Sequence, residues 1–162
     1  MQKHTLNNHG FSLVELIIVI TIMAILTGAL APFLIRYVAK SRRSTDVQNA
    51  NTLATAVSCA INDADAYSEL MGKADPNSVV TFTLDSASDR ILPADSVGSH
   101  FDSTVHENIS GGFQAMAIKS KKDANGHAIT ATDFTVEINT ADNGIKVFIG
   151  NLECYPNNDA MN

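Results

Sequence analysis

No CxxC pair, glycine-rich phosphate loop or nucleophile elbow occurs anywhere in the chain. Each absence removes a chemistry: dithiol redox exchange, phosphate cradling and strand-to-helix serine nucleophilicity respectively. Histidine is also scarce. His4 and His9 precede the long apolar stretch, and His100, His106 and His127 are read as loop residues whose spacing fits no helical metal pair. No catalytic residue, metal ligand or cofactor is therefore assigned. Basic residues are outnumbered, with 11 Lys and Arg against 17 Asp and Glu and a net charge of −6. Arg36, Lys40, Arg42 and Arg43 form the only dense basic cluster. The rest of the chain is acidic, which argues against nucleic-acid capture by bulk charge. There is no internal repeat and no low-complexity segment.

The longest absence is of charge itself. From Leu16 to Ile35 no residue is ionisable, and only Thr21, Thr27, Gly28 and Pro32 interrupt an apolar run. Some twenty residues at ~1.5 Å each make about 30 Å of helix, the hydrocarbon thickness of a bilayer. That exceeds the roughly 7–15 residues of a signal-peptide core. Gly28 and Pro32 weaken this helix, since proline lacks a backbone donor and clashes one turn back, so a kink or local melting is expected there. Glu15 stands at the edge of the run. A carboxylate in that setting costs ~2.5–3.5 kcal/mol on insertion scales, more than the ~0.3–1 kcal/mol that a helix dipole returns. A full charge partner is expected, the alternative being that Glu15 snorkels to water.

Gly10-Phe11-Ser12-Leu13-Val14-Glu15-Leu16, after a short polar leader and ahead of an uncharged helix, resembles the class III signal of type IV pilins and pseudopilins. The resemblance covers about Asn8 to Lys40. It implies cleavage by a prepilin peptidase between Gly10 and Phe11, N-methylation of Phe11, and pairing of Glu15 with the Phe11 amine of a neighbouring subunit. It further implies residence in the cytoplasmic membrane as a single-pass prepilin, then polymerisation into an extracellular homopolymer with an assembly platform and minor pilins. Cell adhesion and twitching motility are the roles such filaments serve. Alternatives are a pseudopilin or minor pilin of a type II secretion or DNA-uptake system, or a membrane-anchored adhesin head. Two rival readings of the N-terminus are weaker. Cutting after Ala29-Leu30-Ala31 would discard the motif unexplained. An uncleaved anchor fits a positive-inside count, because Arg36–Arg43 would then face the cytoplasm, opposite to the topology the motif implies.

The expected organisation is a leader at 1–10, a membrane and polymerisation helix at 11–40, and a head at 41–162. Removing the leader and its Lys3 takes the net charge from −6 to −7. Val47, Ala50, Ala54, Val57 and Ile61, flanked by Leu53, recur at helical spacing, with Asp46, Gln48, Asn49, Asn51 and Thr55 off the stripe. An amphipathic helix is expected to continue unbroken to Tyr67 and to end by Met71-Gly72 and Asp75-Pro76. A variable region at 72–110 contains one strand, Val79–Leu84, and a formal glycosylation sequon at Asn108.

Strands are expected at Phe113–Lys119, Phe134–Asn139 and Ile145–Ile149, with turns at Asn125-Gly126 and Asp142-Asn143-Gly144. These would form an antiparallel meander at 113–150 packed on the helix, an α+β fold. Asp123-Ala124-Asn125-Gly126 reads as that turn and not as a calcium loop. Cys59 and Cys154 permit one disulfide in an exported protein, stapling the C-terminal tail to the helix. Two unpaired thiols are the alternative.

Overall fold

The computed structural model describes residues 11–75, 77–93 and 96–161; the leader, with Gly10, and Pro76 lie outside them. The chain forms two compact units that meet between Val38 and Ala39. α1 (Leu13–Asn62) belongs to the first unit as far as Val38 and to the second beyond it, and it runs helical through Gly28 and Pro32. The local melting expected at those residues is absent from the single chain, because α-helical backbone accommodates a proline when only one donor is lost. Every side chain of the first unit from Phe11 onward is exposed, including Ile17, Ile25, Phe33 and Ile35.

The second unit has its own core. Val47, Ala50, Leu53, Ala54, Val57 and Ala60 of α1 are buried against a sheet whose inner face carries Val80, Phe82, Leu84, Phe134, Val136, Ile138, Val147 and Ile149. The architecture is the expected α+β one, a long N-terminal helix packed on an antiparallel sheet. The sheet has five strands, β1 (Val79–Asp85), β2 (Arg90–Leu92), β3 (Phe134–Asn139), β4 (Gly144–Ile149) and β5 (Leu152–Tyr155), in the order β2-β1-β3-β4-β5. Phe134, Val136 and Ile138 share the buried face, as their alternation requires. Asn143 supplies the left-handed residue of the β3–β4 turn at φ 55°.

The expected continuous helix to Tyr67 is broken at Asp63. Asp63 is extended at φ −80°, ψ 126°, and its side chain accepts from the Asp65 and Ala66 amides, starting α2 (Ala64–Lys73). A residue that caps so well competes with helix continuation. The expected strand at Phe113–Lys119 is instead a 3-10 turn over Phe113–Met116. Gly111 and Gly112 turn the chain at φ 89° and 65°, and the Asp89 carboxylate accepts the Phe113 amide at 2.8 Å and the Gln114 amide at 3.3 Å. Phe113 and Met116 are then buried at i and i+3, not by alternation.

The region expected to be irregular contains α3 (Ser99–Glu107), so His100 and His106 are helical, not loop residues. Phe101 of α3 meets Phe82 edge-on at 6.0 Å between ring centres. The Asn125-Gly126 turn forms with Gly126 at φ 89°, but it closes only the isolated bridge Lys122–Ala128.

Asp46, expected off the buried stripe, is wholly inaccessible to solvent. Its carboxylate accepts the Lys119 amide at 2.9 Å, the Ser120 amide at 2.7 Å and the Ser120 hydroxyl. Burial of a charge is tolerable when its lone pairs are filled this way, and the result ties the 119–120 segment to α1. Arg43 does the same for the C-terminal tail, donating from Nε to the Met161 carbonyl at 3.0 Å. Asp46→Ala strands the two amides and should cost about 3 kcal/mol, read as a lowered denaturant midpoint of the full chain in detergent; a midpoint unchanged from wild type would refute the anchoring role.

Candidate functional site

Of the residues singled out by sequence, Phe11 and Glu15 lie at the start of α1, whereas Gly28 and Pro32 lie further along it. Ser12 precedes the helix, and Glu15 is its third residue. The Ser12 amide donates to Glu15 Oε2 at 2.9 Å, and the Val14 amide donates to Ser12 Oγ at 3.3 Å. The spacing is that of a Ser-x-x-Glu capping box, but the two bonds are not reciprocal: Glu15 accepts the Ser12 amide, whereas the Ser12 hydroxyl accepts the amide of Val14. Glu15 therefore has a hydrogen-bond partner within its own chain, one that the expectation of an external charge does not include. The Ser-x-x-Glu spacing ahead of an apolar run was the available signal. The cap uses one carboxylate oxygen and supplies no positive charge. Phe11, one residue before the cap, is 81% exposed.

Residues 5–31 match the model of the prokaryotic N-terminal methylation motif. The chain carries the class III signal peptide of type IV pilins. The motif spans Gly10, Phe11, Glu15 and Gly28 and stops short of Pro32 and the whole head. No curated protein and no solved structure matches the chain. The same helix is long and apolar enough to cross a membrane, and none of its most apolar window is buried. Together the motif and the span mark a membrane-anchored, type IV pilin-like prepilin substrate.

In the head, each of the three histidines meets an aspartate. His100 lies 3.4 Å from Asp63, His106 is 3.0 Å from Asp89, and His127 is 2.9 Å from Asp123. His106 also stacks edge-on against Phe113 at 5.1 Å, so the pair joins the β1–β2 turn to α3 and the 3-10 turn. The hydrogen bond from His106 holds the Asp89 carboxyl below its ordinary range, helped by the Phe113 amide. That from His127 lowers Asp123 likewise.

A cavity of about 400 Å³ beside Asp89 is lined by Asp102, Ser103, His106 and Glu107. Its serine and histidine are not coupled, since the Ser103 hydroxyl donates to the His100 carbonyl at 2.9 Å. Burial raises the Asp102 carboxyl. Among the described residues no cluster of His, Cys, Asp and Glu is arranged to hold a metal ion.

The expected Cys59–Cys154 bridge is not formed. Cys59 lies on the exposed face of α1, whereas Cys154 is buried in the core, and both thiols are free. Burial pushes the Cys154 thiol up to about 11, which makes it a poor nucleophile. A maleimide at pH 7 should label Cys59 in the folded chain and Cys154 only after denaturation; equal labelling of both when folded would contradict this packing. The lowered carboxyls act on acid stability with a definite sign. Their contribution is present above the ordinary value of 3.8 and is lost as pH falls through the lower folded values. Asp89→Asn should thus flatten the fall in unfolding midpoint below about pH 4, and a slope like that of the parent chain would count against it.

Proposed function

We propose that this chain is a structural subunit of a type IV pilus. It is made as a prepilin, cut between Gly10 and Phe11 by prepilin peptidase, methylated at the Phe11 amine, and held in the cytoplasmic membrane by α1. It then polymerises on an assembly platform into an extracellular filament, with the apolar helices inside and the heads outside. The observation that carries the reading is an exposed, charge-free helix preceded by the methylation motif and edged by one acid. Apolar surface of this extent requires lipid or sister helices around it.

Glu15 sets the register. The cap contributes about 0.5–2 kcal/mol yet leaves the carboxylate uncompensated by any positive charge. Withdrawal of the helix from headgroups and water makes a neighbour's Phe11 amine the charge that satisfies it. A subunit docked one residue out of register would bury both charges unpaired. Gly28 and Pro32 provide the place where α1 loosens or bends when helices pack into the filament core.

Intact mass and N-terminal sequencing of the surface form should give a chain that begins at Phe11 and bears one added methyl. Glu15→Ala should leave that processing intact and sharply reduce fibre yield. A surface chain beginning at Met1 or Pro32, or normal fibre yield and length from Glu15→Ala, would contradict the proposal.

A further inference from the structure

Two lysines distant in sequence from the span are brought beside a cation at its end. A cavity of about 160 Å³ is lined by Ala39 and Arg42 of α1 and by Ser120, Lys121 and Lys122. The lysine segment is held there from several sides. Asp46 takes the amides of Lys119 and Ser120, Lys121 accepts the Ile129 amide at 2.9 Å, and the Ala124 amide donates to the Ala160 carbonyl at 3.0 Å. Arg42, Lys121 and Lys122 are all exposed.

Their neighbouring acids are already engaged. Asp46 is buried on backbone amides, and Asp123 is 4% exposed and bonded to His127. Among the described residues no carboxylate is ion-paired with Arg42, Lys121 or Lys122. Arg42 stands seven residues beyond Ile35 in the same helix, about 10 Å on, so that its long side chain reaches back toward the headgroup layer. Arg36 and Lys40 add charge on the same stretch.

We propose that Arg42, Lys121 and Lys122 bind the phosphate of an anionic phospholipid headgroup on the head side of the membrane. The proposal rests on α1 spanning the bilayer. An arginine and two lysines lining one small cavity suit a phosphate, which accepts charge-assisted hydrogen bonds from both side-chain types. It also gives a role to a basic cluster that the positive-inside tendency disfavours on that side.

The test is native mass spectrometry of the full chain released from detergent micelles, titrated with phosphatidylglycerol or phosphatidylcholine and compared with the K121Q/K122Q double variant. Each basic residue near an anionic surface contributes about a five-fold factor. The double variant should therefore lose roughly 30-fold of its preference for phosphatidylglycerol, with Arg42→Gln losing part of it and circular dichroism unchanged in both.

A preference unchanged in the double variant would overturn the proposal. So would inorganic phosphate displacing the lipid at matched concentration, which would indicate a free-anion site. Dimers that vanish in the double variant, with no lipid preference in the parent, would assign the patch to a second copy and equally overturn it. A chain that stays monodisperse without detergent would instead refute the membrane span.

Discussion

A single carboxylate at the edge of a charge-free helix is the constraint on which the rest depends. Glu15 is the only ionisable residue between Phe11 and Ile35, and an unpaired charge at that depth is disfavoured by more than a helix dipole returns. Within one chain it is occupied by the Ser12 amide. That bond stabilises the helix end, but it does not neutralise the carboxylate. The proposed assembly step is an exchange of partners, in which the amine created by processing replaces solvent around the free oxygen. In that proposal, the preference for one axial offset comes from pairing with another copy.

The head solves a different problem. It must be a finished globular unit on a helix whose other half cannot be buried by the chain itself. Small residues on α1, chiefly Ala50, Ala54 and Ala60, let the sheet approach, and large side chains from the strands and α3 fill the space. The polar anchors lie where regular structure runs out. Asp46 seizes the loop after the 3-10 turn, Arg43 seizes the C-terminal tail, and Asp89 with His106 joins three segments. Such charged groups, the aspartates accepting backbone amides and Arg43 donating to a carbonyl, do what a disulfide from Cys59 to Cys154 was expected to do, without covalent closure.

The sequence was most legible where one periodicity ruled. The span, the buried stripe of α1, and the strands β1, β3 and β4 follow from hydrophobic pattern alone. It was least legible where a distant side chain decides local structure. The start of α3 is capped by Glu69 of α2, which accepts the His100 amide at 2.7 Å and the Phe101 amide at 3.1 Å, and no nearby residue announces that helix. The 3-10 turn at Phe113 depends on Asp89 in the same way, and its alternating residues imitate a strand. Asp46 looked like a solvated position because its partners lie more than seventy residues onward. At the site the residue types are legible but the cap is not, since a carboxylate beside an apolar run reads as a charge before it reads as a hydrogen-bond acceptor.

The partner of Glu15 in the assembled state is the decisive quantity. Filaments grown from two mixed populations, one labelled with ¹⁵N at Phe11 and the other with ¹³C at the Glu15 carboxyl, isolate contacts between subunits in a solid-state NMR dipolar measurement. The account predicts a nitrogen–carboxyl separation of about 4 Å between chains. Absence of that coupling, with the carboxyl still close to the Ser12 nitrogen of its own chain, would contradict it.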